Sequence, residues 1–322
     1  MKVLLIGKHN MLYWLEHAKE AFAATPGVEV KALEVNHLGL FGDMLRNITK
    51  LFSRHGASVV VRDAIAKNIR AFQPDLILVV SPFLLDATIF EGFEAAPGHT
   101  VKAGWVGDLF GAAHLAHAGA FDLLFGTDSS FIDRARELGF PEMRYLPLAV
   151  NERLFHNRGA VRSNEVLFIG APTPERIATL NRIENVPVRV VGKGWRNRVA
   201  PHVGCSEGHI GIAEVAEAYN GADYILNVKH EHNVLNGLNM RSFEAPACGA
   251  CLLQDYVKDV ERNFDMEEEL VVYRSVEELN EKLSVLQKDK STYDKIRRNG
   301  YARVMAEHTY RHRIQTMLRE IS

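Results

Sequence analysis

Residues 165–177 read EVLFIGAPTPERI, and this stretch decides the class of the fold. An apolar run that ends at Gly170 predicts a buried strand. Thr173 suits the N-cap of a helix and Pro174 suits its first turn, so a helix is predicted directly after the short loop. A strand, a glycine-containing loop and a capped helix form the repeating unit of a mostly parallel α/β sheet.

This unit recurs along the chain in two series. In the first series, strands are predicted at 3–6, 28–33, 76–80, 101–106 and 121–125, and helices at 12–24, 59–72 and 129–138. In the second series, strands are predicted at 165–169, 188–191, 224–228 and 250–253, and helices from 174 onward and at 212–218, 240–247, 276–286, 291–308 and 311–321. The pattern predicts an α/β protein with two Rossmann-like domains, 1–153 and 154–322. The last helix, 311–321, either packs back on the first domain or lies on the second.

Composition excludes several classes of partner. The chain has 322 residues, with 38 Lys or Arg and 40 Asp or Glu, so its formal net charge is −2. This balance gives no general attraction to nucleic acid or to an anionic membrane, and no apolar run is long enough for stable membrane insertion. Three cysteines are too few for a disulfide framework, so a cytoplasmic protein is predicted. Cys248 and Cys251 form a C-x-x-C without a second pair that would complete a zinc site, and a structural role is predicted for them.

The candidate site is sought where polar residues follow strands, because parallel α/β sheets bind ligands at the carboxyl ends of their strands. In the second domain, the segment from His232 to Glu244 carries a polar, glycine-containing loop into a helix. The backbone N–H groups of such a loop, which includes Asn236 and Gly237, can bind an anion. Asn239 is predicted to cap the helix.

Two arginines are placed unfavourably unless an anion binds beside them. Arg241 lies in the first turn of its helix, where the helix dipole disfavours a cation, and Arg176 has the same position after Gly170. A bound diphosphate would reverse this disadvantage, because arginine binds phosphate oxygens bidentately. Glu244, about one turn further on, is placed to accept both hydroxyls of a ribose. The alternative is a surface pair between Arg241 and Glu244, with Arg176 paired to another acidic neighbour.

Two lysines are weaker candidates for the same ligand. Lys193 lies between two glycines after a predicted strand, and Lys229 follows the strand 224–228. Either side chain could reach a phosphate group, and Lys193 could also reach a nucleobase.

The stretch from Asn220 to Leu318 resembles the C-terminal domain of the CgeB/spore-maturation group of GT-B glycosyltransferases. The residues that carry the resemblance are Leu226-Asn227, Asn239-Met240-Arg241-Ser242-Phe243-Glu244, Ala247-Cys248-Gly249, Glu269–Tyr273 and His308-Thr309-Tyr310…Arg313, together with Val166–Gly170 and Arg176. The N-terminal half matches only loosely, through Trp105…Asp108 and Leu146–Ala149. The resemblance implies a GT-B fold, in which two Rossmann-like domains face each other across a cleft. The first domain would bind the acceptor, and the second domain would bind the nucleotide half of a sugar donor.

The resemblance also implies roles for individual residues. Glu244 corresponds to the ribose-binding glutamate of the E-x7-E motif of the wider GT-B group. The first acid of that motif would fall at position 236, which is Asn236 here, so the sugar and the stereochemical outcome stay open. The chain has no D-x-D, the spacing with which GT-A enzymes hold a cation on the diphosphate. Arginines and loop amides would therefore stabilise the leaving group, and neither a metal nor another cofactor is expected.

The first domain offers two candidates for a catalytic base. Asp108 follows the strand 101–106 and could deprotonate an acceptor hydroxyl if partial burial raised its pKa. His9 follows the first strand and could act as a base or bind the sugar. Both residues could equally be ordinary loop residues. His114 and His117 lie three residues apart, but no third metal ligand is apparent.

The function predicted from these features is transfer of a sugar from a nucleotide diphosphate sugar to an unknown acceptor. Two alternatives stay open on the same fold. The first is a sugar-nucleotide epimerase or hydrolase. The second is a protein that binds a sugar nucleotide without catalysis.

Overall fold

The computed structural model describes residues 1–9, 13–229 and 235–321, and the chain separates into two compact units. The first unit contains Met1–Pro147 and the C-terminal segment that begins at Tyr310. The second contains the described residues from Leu148 to Thr309. Each unit is built around one six-stranded sheet whose neighbouring strands are all parallel.

The sheet of the first unit has the strand order β2-β1-β3-β4-β5-β6. Its strands are β1 (Lys2–Gly7), β2 (Glu29–Glu34), β3 (Leu76–Val80), β4 (Val101–Val106), β5 (Leu123–Gly126) and β6 (Met143–Tyr145). Its helices are α1 (Trp14–Ala23), α2 (Gly39–Phe52), α3 (Arg54–Phe72), α4 (Leu115–Ala118), α5 (Ser129–Glu137) and α12 (Tyr310–Ile321). The apolar residues of β3 are all buried, as expected for a strand covered on both faces.

Helix α12 packs within the first unit. The ring of Tyr310 lies 6.1 Å from that of Trp105 in β4, and Arg313 donates a hydrogen bond of 2.9 Å to the carbonyl of Pro147. Trp105 in turn donates to the carbonyl of Leu146 at 3.0 Å. The C-terminal helix is therefore fixed to the strand that precedes Asp108.

The sheet of the second unit has the strand order β12-β11-β10-β7-β8-β9. Its strands are β7 (Ser163–Ile169), β8 (Val188–Gly192), β9 (Val203–Glu207), β10 (Ala222–Asn227), β11 (Cys251–Asp255) and β12 (Val271–Tyr273). Its helices are α6 (Pro174–Leu180), α7 (Ile212–Gly221), α8 (Arg241–Ala247), α9 (Val260–Asn263), α10 (Val276–Lys288) and α11 (Lys290–Glu307). Thr173 accepts a hydrogen bond from the backbone N–H of Arg176, so the predicted cap of α6 is confirmed.

Six of these elements lie where no element is predicted: α2, α4, β6, β9, α9 and β12. Strand β9 is an edge strand with four of its five residues exposed, so it lacks the apolar run that marks an interior strand. Strand β12 has only three residues. Both are stabilised by pairing with a longer neighbour, which a single stretch of sequence does not reveal.

Each sheet contains one point at which the strand order reverses. In the second unit the chain passes from β7 outward to β9 and returns to β10 on the other side of β7. In the first unit the same reversal separates β1 from β3. Such switch points leave a crevice at the carboxyl ends of the two central strands, which is where open α/β sheets bind ligands.

The cysteines are free. Cys248 and Cys251 are buried, and burial raises the pKa of each thiol to about 12. Both therefore remain protonated near neutral pH, in agreement with the structural role predicted for them. Among the helices of the described residues, none is long and apolar enough to cross a bilayer.

Two helical glycines provide a test of the packing of the second unit. A Cβ atom on Gly300 in α11 would lie 2.3 Å from the carbonyl oxygen of Glu269, whereas one on Gly221 in α7 would meet nothing within 4 Å. We expect Gly300→Ala to destabilise the protein by about 1–3 kcal/mol through overpacking. Gly221→Ala should change stability by less than about 1 kcal/mol. Urea unfolding midpoints of both variants measure the difference, and equal midpoints would contradict the packing described for α11.

Candidate functional site

Arg241 joins the two central strands of the second sheet at their carboxyl ends. Its guanidinium donates to the carbonyl of Ile169 in β7 and, at 2.7 Å, to the side-chain oxygen of Asn227 in β10. Its Nε donates to the hydroxyl of Tyr219 at 3.2 Å. Arg241 therefore lies at the switch point. The alternative, a surface pair with Glu244, is not found among the described residues, because the Arg241 side chain points into the sheet edge.

Arg176, in the first turn of α6, also bridges the ends of β7 and β10. It is 7% exposed and donates to the carbonyl of Ala171, just after β7, at 2.9 Å. It also donates to the carbonyl of Val228, just after β10, at 3.2 Å. Burial, together with the positive charge of Arg241, lowers the pKa of Arg176 to about 10. The group still carries its charge near neutral pH.

The two guanidinium groups share one aromatic ring. The guanidinium carbons of Arg241 and Arg176 lie 4.8 Å and 5.1 Å from the centre of the Phe168 ring. Such contacts stabilise a cation, and more strongly when water is excluded. In the described part of the chain, every acceptor that these two side chains use is an uncharged oxygen. The site is thus a pair of partly desolvated cations that are neutralised by no hydrogen-bonded carboxylate.

Asn227 is the centre of the polar network that holds Arg241. Its amide nitrogen donates to the side-chain oxygens of Gln254, Ser242 and Asn239 at 2.8, 3.0 and 3.1 Å. Asn239 donates back to its oxygen at 2.9 Å. All of the hydrogen-bonding capacity of the Asn227 amide is used, so the orientation of the Arg241 guanidinium is well defined.

The predicted cap of α8 is therefore wrong. Asn239 uses its side chain for Asn227 instead of the helix, and the N-cap residue is Met240, which makes no side-chain cap hydrogen bond. The reason is a tertiary interaction: the amide pairs with a strand end that is twelve residues away in sequence. Asn239 positions the network that holds Arg241.

Glu244 is nearly buried and its carboxylate makes no hydrogen bond within the described residues. The residue is 9% exposed, and burial raises the pKa of its carboxyl to about 7, although Arg241 opposes the shift. A buried carboxylate without donors is costly. The described residues therefore supply nothing that offsets the cost of burying this carboxylate.

Asp255 is a second buried acid at the same edge of the sheet. Its carboxylate accepts from the backbone N–H of Lys229 at 2.7 Å and from the side chain of Gln254 at 2.9 Å. Burial raises the pKa of Asp255 to about 6, while Lys229, Arg241 and Arg176 lower it. The Lys229 backbone is thus fixed at the end of β10.

The loops after β7 and β8 approach each other closely. Gly170 and Gly192 both have φ of 151°, and a Cβ on Gly192 would lie 2.4 Å from the carbonyl oxygen of Gly170. Trp195 is fully buried and donates to that same carbonyl at 2.7 Å. The side chain of Lys193 is exposed beside these residues, where it can approach a ligand.

Part of the predicted loop lies outside the described residues. This applies to residues 230–234, which include His232. Asn236 and Gly237 are described: Asn236 is half-buried, Gly237 is buried, and the carbonyl of Asn236 accepts from the backbone of Asp259 at 3.0 Å.

In the first unit, Asp108 lies in a partly buried polar group. The hydroxyl of Ser81, which follows β3, is 3.3 Å from its carboxylate. Burial raises the pKa of Asp108, while Ser81 and the charge of Lys8 lower it. Lys8 itself donates to the carbonyl of Leu84 at 2.8 Å, so it links the loops that follow β1 and β3.

His9 faces two carboxylates. Its Nδ1 lies 2.9 Å from an oxygen of Glu16 and 3.3 Å from an oxygen of Glu34. His114 and His117, two other histidines of this unit, have different contacts. Nε2 of His117 contacts the carbonyl of Leu85 at 3.0 Å, and the His114 and His117 rings are 5.4 Å apart. His9 therefore has two carboxylates within ion-pair distance of the same ring nitrogen.

Several residues of the second-unit site are not anticipated as site residues from the sequence. They are Phe168, Tyr219, Asn227, Ser242, Gln254 and Asp255. The detectable signal was the polar end of an apolar strand, since β10 ends in Asn227 and β11 ends in Gln254-Asp255. Tyr219 and Phe168 carry no such signal because their rings are also typical of a core.

Part of the chain is similar in sequence to known proteins. Residues 175–319 match a family described as glycosyl transferase-like. The spore protein CgeB of Bacillus subtilis is 31% identical over 140 residues, which is 37% of this chain and 44% of CgeB. The match thus spans less than half of that relative. The resemblance to the CgeB group is confirmed.

Solved structures agree on the fold. Sucrose-phosphate synthase from Thermosynechococcus elongatus superposes with a TM-score of 0.70 at 13% identity, over 99% of this chain and 98% of the synthase. Anabaena HepE in complex with UDP and glucose gives 0.68 at 11% identity, over 100% of this chain and 99% of HepE. With two six-stranded parallel sheets flanked by helices, the predicted α/β, GT-B class is confirmed.

Glu244 should make stability depend on pH in a defined direction. Its pKa is about 7 in the folded protein against 4.5 ordinarily, so between these values the folded state holds a proton that the unfolded state lacks. Stability is then lost as pH rises through this window. Relative to Glu244→Gln, the wild type should lose on the order of 3 kcal/mol between pH 4.5 and pH 8.

Urea unfolding at several pH values measures this difference. Glu217 in α7 is exposed, and Glu217→Gln serves as the control that should follow the wild-type profile. Parallel profiles for the wild type and Glu244→Gln would show that Glu244 is hydrated in the absence of ligand.

Proposed function

We propose that this protein is a glycosyltransferase that binds a nucleoside diphosphate sugar in its second unit and transfers the sugar to an acceptor hydroxyl. The observation that carries the proposal is the pair Arg176 and Arg241, which bridge β7 and β10 with uncharged acceptors only. Two cations held without hydrogen-bonded carboxylates at a switch point favour a polyanionic ligand. HepE, which shares the fold, is complexed with UDP and glucose, so UDP is the first ligand to test.

The diphosphate is proposed to bind to both arginines. Three hydrogen bonds hold each guanidinium, and a guanidinium has five N–H donors, so donors remain for phosphate oxygens. Backbone amides near Gly170 and Gly237 are proposed to add neutral donors, and Lys193 and Lys229 further positive charge. Fixed donors of this kind stabilise the charge that develops on the leaving nucleoside diphosphate.

The nucleoside is proposed to bind to Glu244. A ribose offers two adjacent hydroxyl donors, and the carboxylate of Glu244 has no other donor among the described residues. Binding would supply the missing hydrogen bonds and lower the pKa of this carboxyl toward its ordinary value. Asn236, which stands where the wider group has an acid, is proposed to contact the sugar through an amide that both donates and accepts.

The acceptor is proposed to bind to the first unit, with Asp108 as the base. The acceptor oxygen forms a bond to the anomeric carbon while the bond from that carbon to the phosphate oxygen breaks. The hydroxyl proton passes to Asp108 and the electron pair leaves with the diphosphate. Burial raises the pKa of Asp108, which suits a general base. His9 is the second candidate.

Donor binding is proposed to need no metal ion. Arginine side chains take the place of a divalent cation on the diphosphate. The two acids of the described donor site have other roles: Glu244 is proposed to bind the ribose, and Asp255 accepts a hydrogen bond from the backbone of Lys229. Stripping the protein with EDTA should therefore leave its affinity for UDP unchanged. A cytoplasmic location is proposed from the sparse use of cysteine.

Two other classes of function fit the same site. The first is another enzyme: an epimerase would change the sugar on an intact nucleotide, and a hydrolase would release free sugar without an acceptor. The second is a protein without catalytic function, which would bind the nucleotide and turn nothing over. Product analysis by mass spectrometry separates these outcomes.

The roles of the arginines and of Glu244 can be separated with three ligands. Arg176→Ala and Arg241→Ala should weaken UDP binding at least about tenfold and leave uridine binding nearly unchanged, because only the diphosphate contacts arginine. Glu244→Gln should weaken both UDP and uridine, but not 2′,3′-dideoxy-UDP, which lacks the hydroxyls. Calorimetric titration measures each Kd.

The matched control is Arg198→Ala, since Arg198 is an exposed arginine of the same unit. It should bind all three ligands like the wild type. If the arginine variants lose uridine and UDP equally, or if they keep wild-type affinity for UDP, the diphosphate lies elsewhere.

The role of Asp108 can be tested once a donor and an acceptor give turnover. Asp108→Asn should keep the affinity for UDP and lower kcat by about 10²- to 10⁴-fold, the range for loss of a general base. Asp133→Asn, at an exposed position of α5, is the control. An Asp108→Asn enzyme with wild-type kcat would exclude this base and favour His9.

A further inference from the structure

Three potential metal ligands converge at the carboxyl edge of the first sheet. They are His9, just after β1, Glu34, the last residue of β2, and Glu16, in the first turn of α1. One ligand atom from each lies within 4.8 Å of the ligand atoms of the other two. The cluster belongs to the first unit, whereas the arginines of the proposed donor site belong to the second.

The backbone presents these side chains independently of any ligand. Strands β1 and β2 are in parallel register, with Gly7 opposite Glu34, so their ends are neighbours. The backbone of His9 is held on both sides by Asn36: its N–H donates to the side-chain oxygen at 2.7 Å, and its carbonyl accepts from the side-chain nitrogen at 3.4 Å. The His9 backbone is thus positioned by two hydrogen bonds, while its ring lies against the ring of His37 at a centroid distance of 5.3 Å and turns Nδ1 toward the two carboxylates.

The distances within the cluster are those of a coordination shell. Nδ1 of His9 is 2.9 Å from a carboxylate oxygen of Glu16 and 3.3 Å from one of Glu34. Ligands about 2.0–2.2 Å from a transition ion are separated by about 3.0–3.5 Å at octahedral or tetrahedral angles. Nδ1 is shielded from solvent, yet within the described residues it makes no hydrogen bond of acceptable geometry. The lone pair of Nδ1 is therefore available to bind an ion, since this nitrogen shares no proton with either carboxylate.

We propose that His9, Glu16 and Glu34 bind a divalent first-row transition ion, with Zn²⁺ as the best candidate. One imidazole nitrogen and two carboxylate oxygens suit Zn²⁺ and its neighbours, while Mg²⁺ and Ca²⁺ prefer oxygen ligands alone. A neutral histidine and two carboxylates also balance the charge of the ion. The side chains are about one-third exposed, at 33%, 29% and 33%, so the cluster lies close to the surface although Nδ1 of His9 is itself shielded.

This site does not depend on the proposed donor site, although an ion on His9 would exclude this histidine as the second candidate for the base. An ion there would link β1, β2 and α1 within the first unit, and it would contact none of the residues proposed to bind the diphosphate. Metal-independent UDP binding and metal binding at His9 are compatible, and each can be wrong without the other.

Titration calorimetry of the untagged, full-length protein tests the site after EDTA treatment and dialysis. ZnCl₂ should bind with one high-affinity site per chain, and MgCl₂ at the same concentrations should bind far more weakly. Glu16→Gln and Glu34→Gln should each weaken the Zn²⁺ affinity at least about tenfold, because an uncharged amide is a poorer ligand. Zn²⁺ should also raise the Tm of the wild type, but not that of the two variants.

The matched control is Glu29→Gln, at the exposed start of β2, which should bind Zn²⁺ like the wild type. Equal Zn²⁺ affinities of the wild type, Glu16→Gln and Glu34→Gln would overturn the proposal, and so would the lack of a high-affinity site in the wild type. If a variant fails to fold, protection of wild-type His9 by Zn²⁺ against diethyl pyrocarbonate, mapped by mass spectrometry, gives the answer. Unprotected His9 at saturating Zn²⁺ would also overturn it.

Discussion

The second unit depends on one constraint, which is that two guanidinium groups must be kept charged at the edge of a buried sheet. Arg241 and Arg176 each bridge the ends of β7 and β10, and both lie close to the ring of Phe168. Desolvation of a cation is expensive unless carbonyl oxygens, an aromatic face or an anion compensates for it. The described part of the chain provides the carbonyl oxygens and the aromatic face, and an anion is what the proposed ligand would add.

The acids near these arginines follow from the same constraint. Burial raises the pKa of the Glu244 and Asp255 carboxyls, and this effect is larger than that of the positive charge of the arginines, which lowers the pKa of each carboxyl. A carboxylate paired directly with either arginine would neutralise the cation and compete with a diphosphate. Instead, Asp255 holds the backbone of Lys229, and Glu244 accepts no hydrogen bond from the described residues, so neither acid occupies the arginines. Leaving buried charges uncompensated in this way costs stability.

The two units use equivalent positions in different ways. In the second, the switch point is occupied by fixed cations. In the first, the loops after β1, β3 and β4 carry His9, Ser81 and Asp108, a mixture of titratable groups and a hydroxyl. The same topology therefore places two arginines at this position in one unit and a histidine, a serine and an aspartate in the other, because topology decides where a site lies and side chains decide its chemistry.

The sequence by itself determined the α/β class, the strands with apolar runs and the cap of α6, and it singled out Arg176, Arg241 and Glu244 as candidate site residues. These features are local: periodicity, capping residues and arginines at helix starts can be recognised within a few residues. Tertiary structure alone decided that Asn239 binds Asn227 rather than capping α8, that β9 and β12 form at the sheet edges, and that Glu16 and Glu34 meet His9. Each of these depends on contacts between residues far apart in the chain, and strand order and register create such contacts without leaving a local signal.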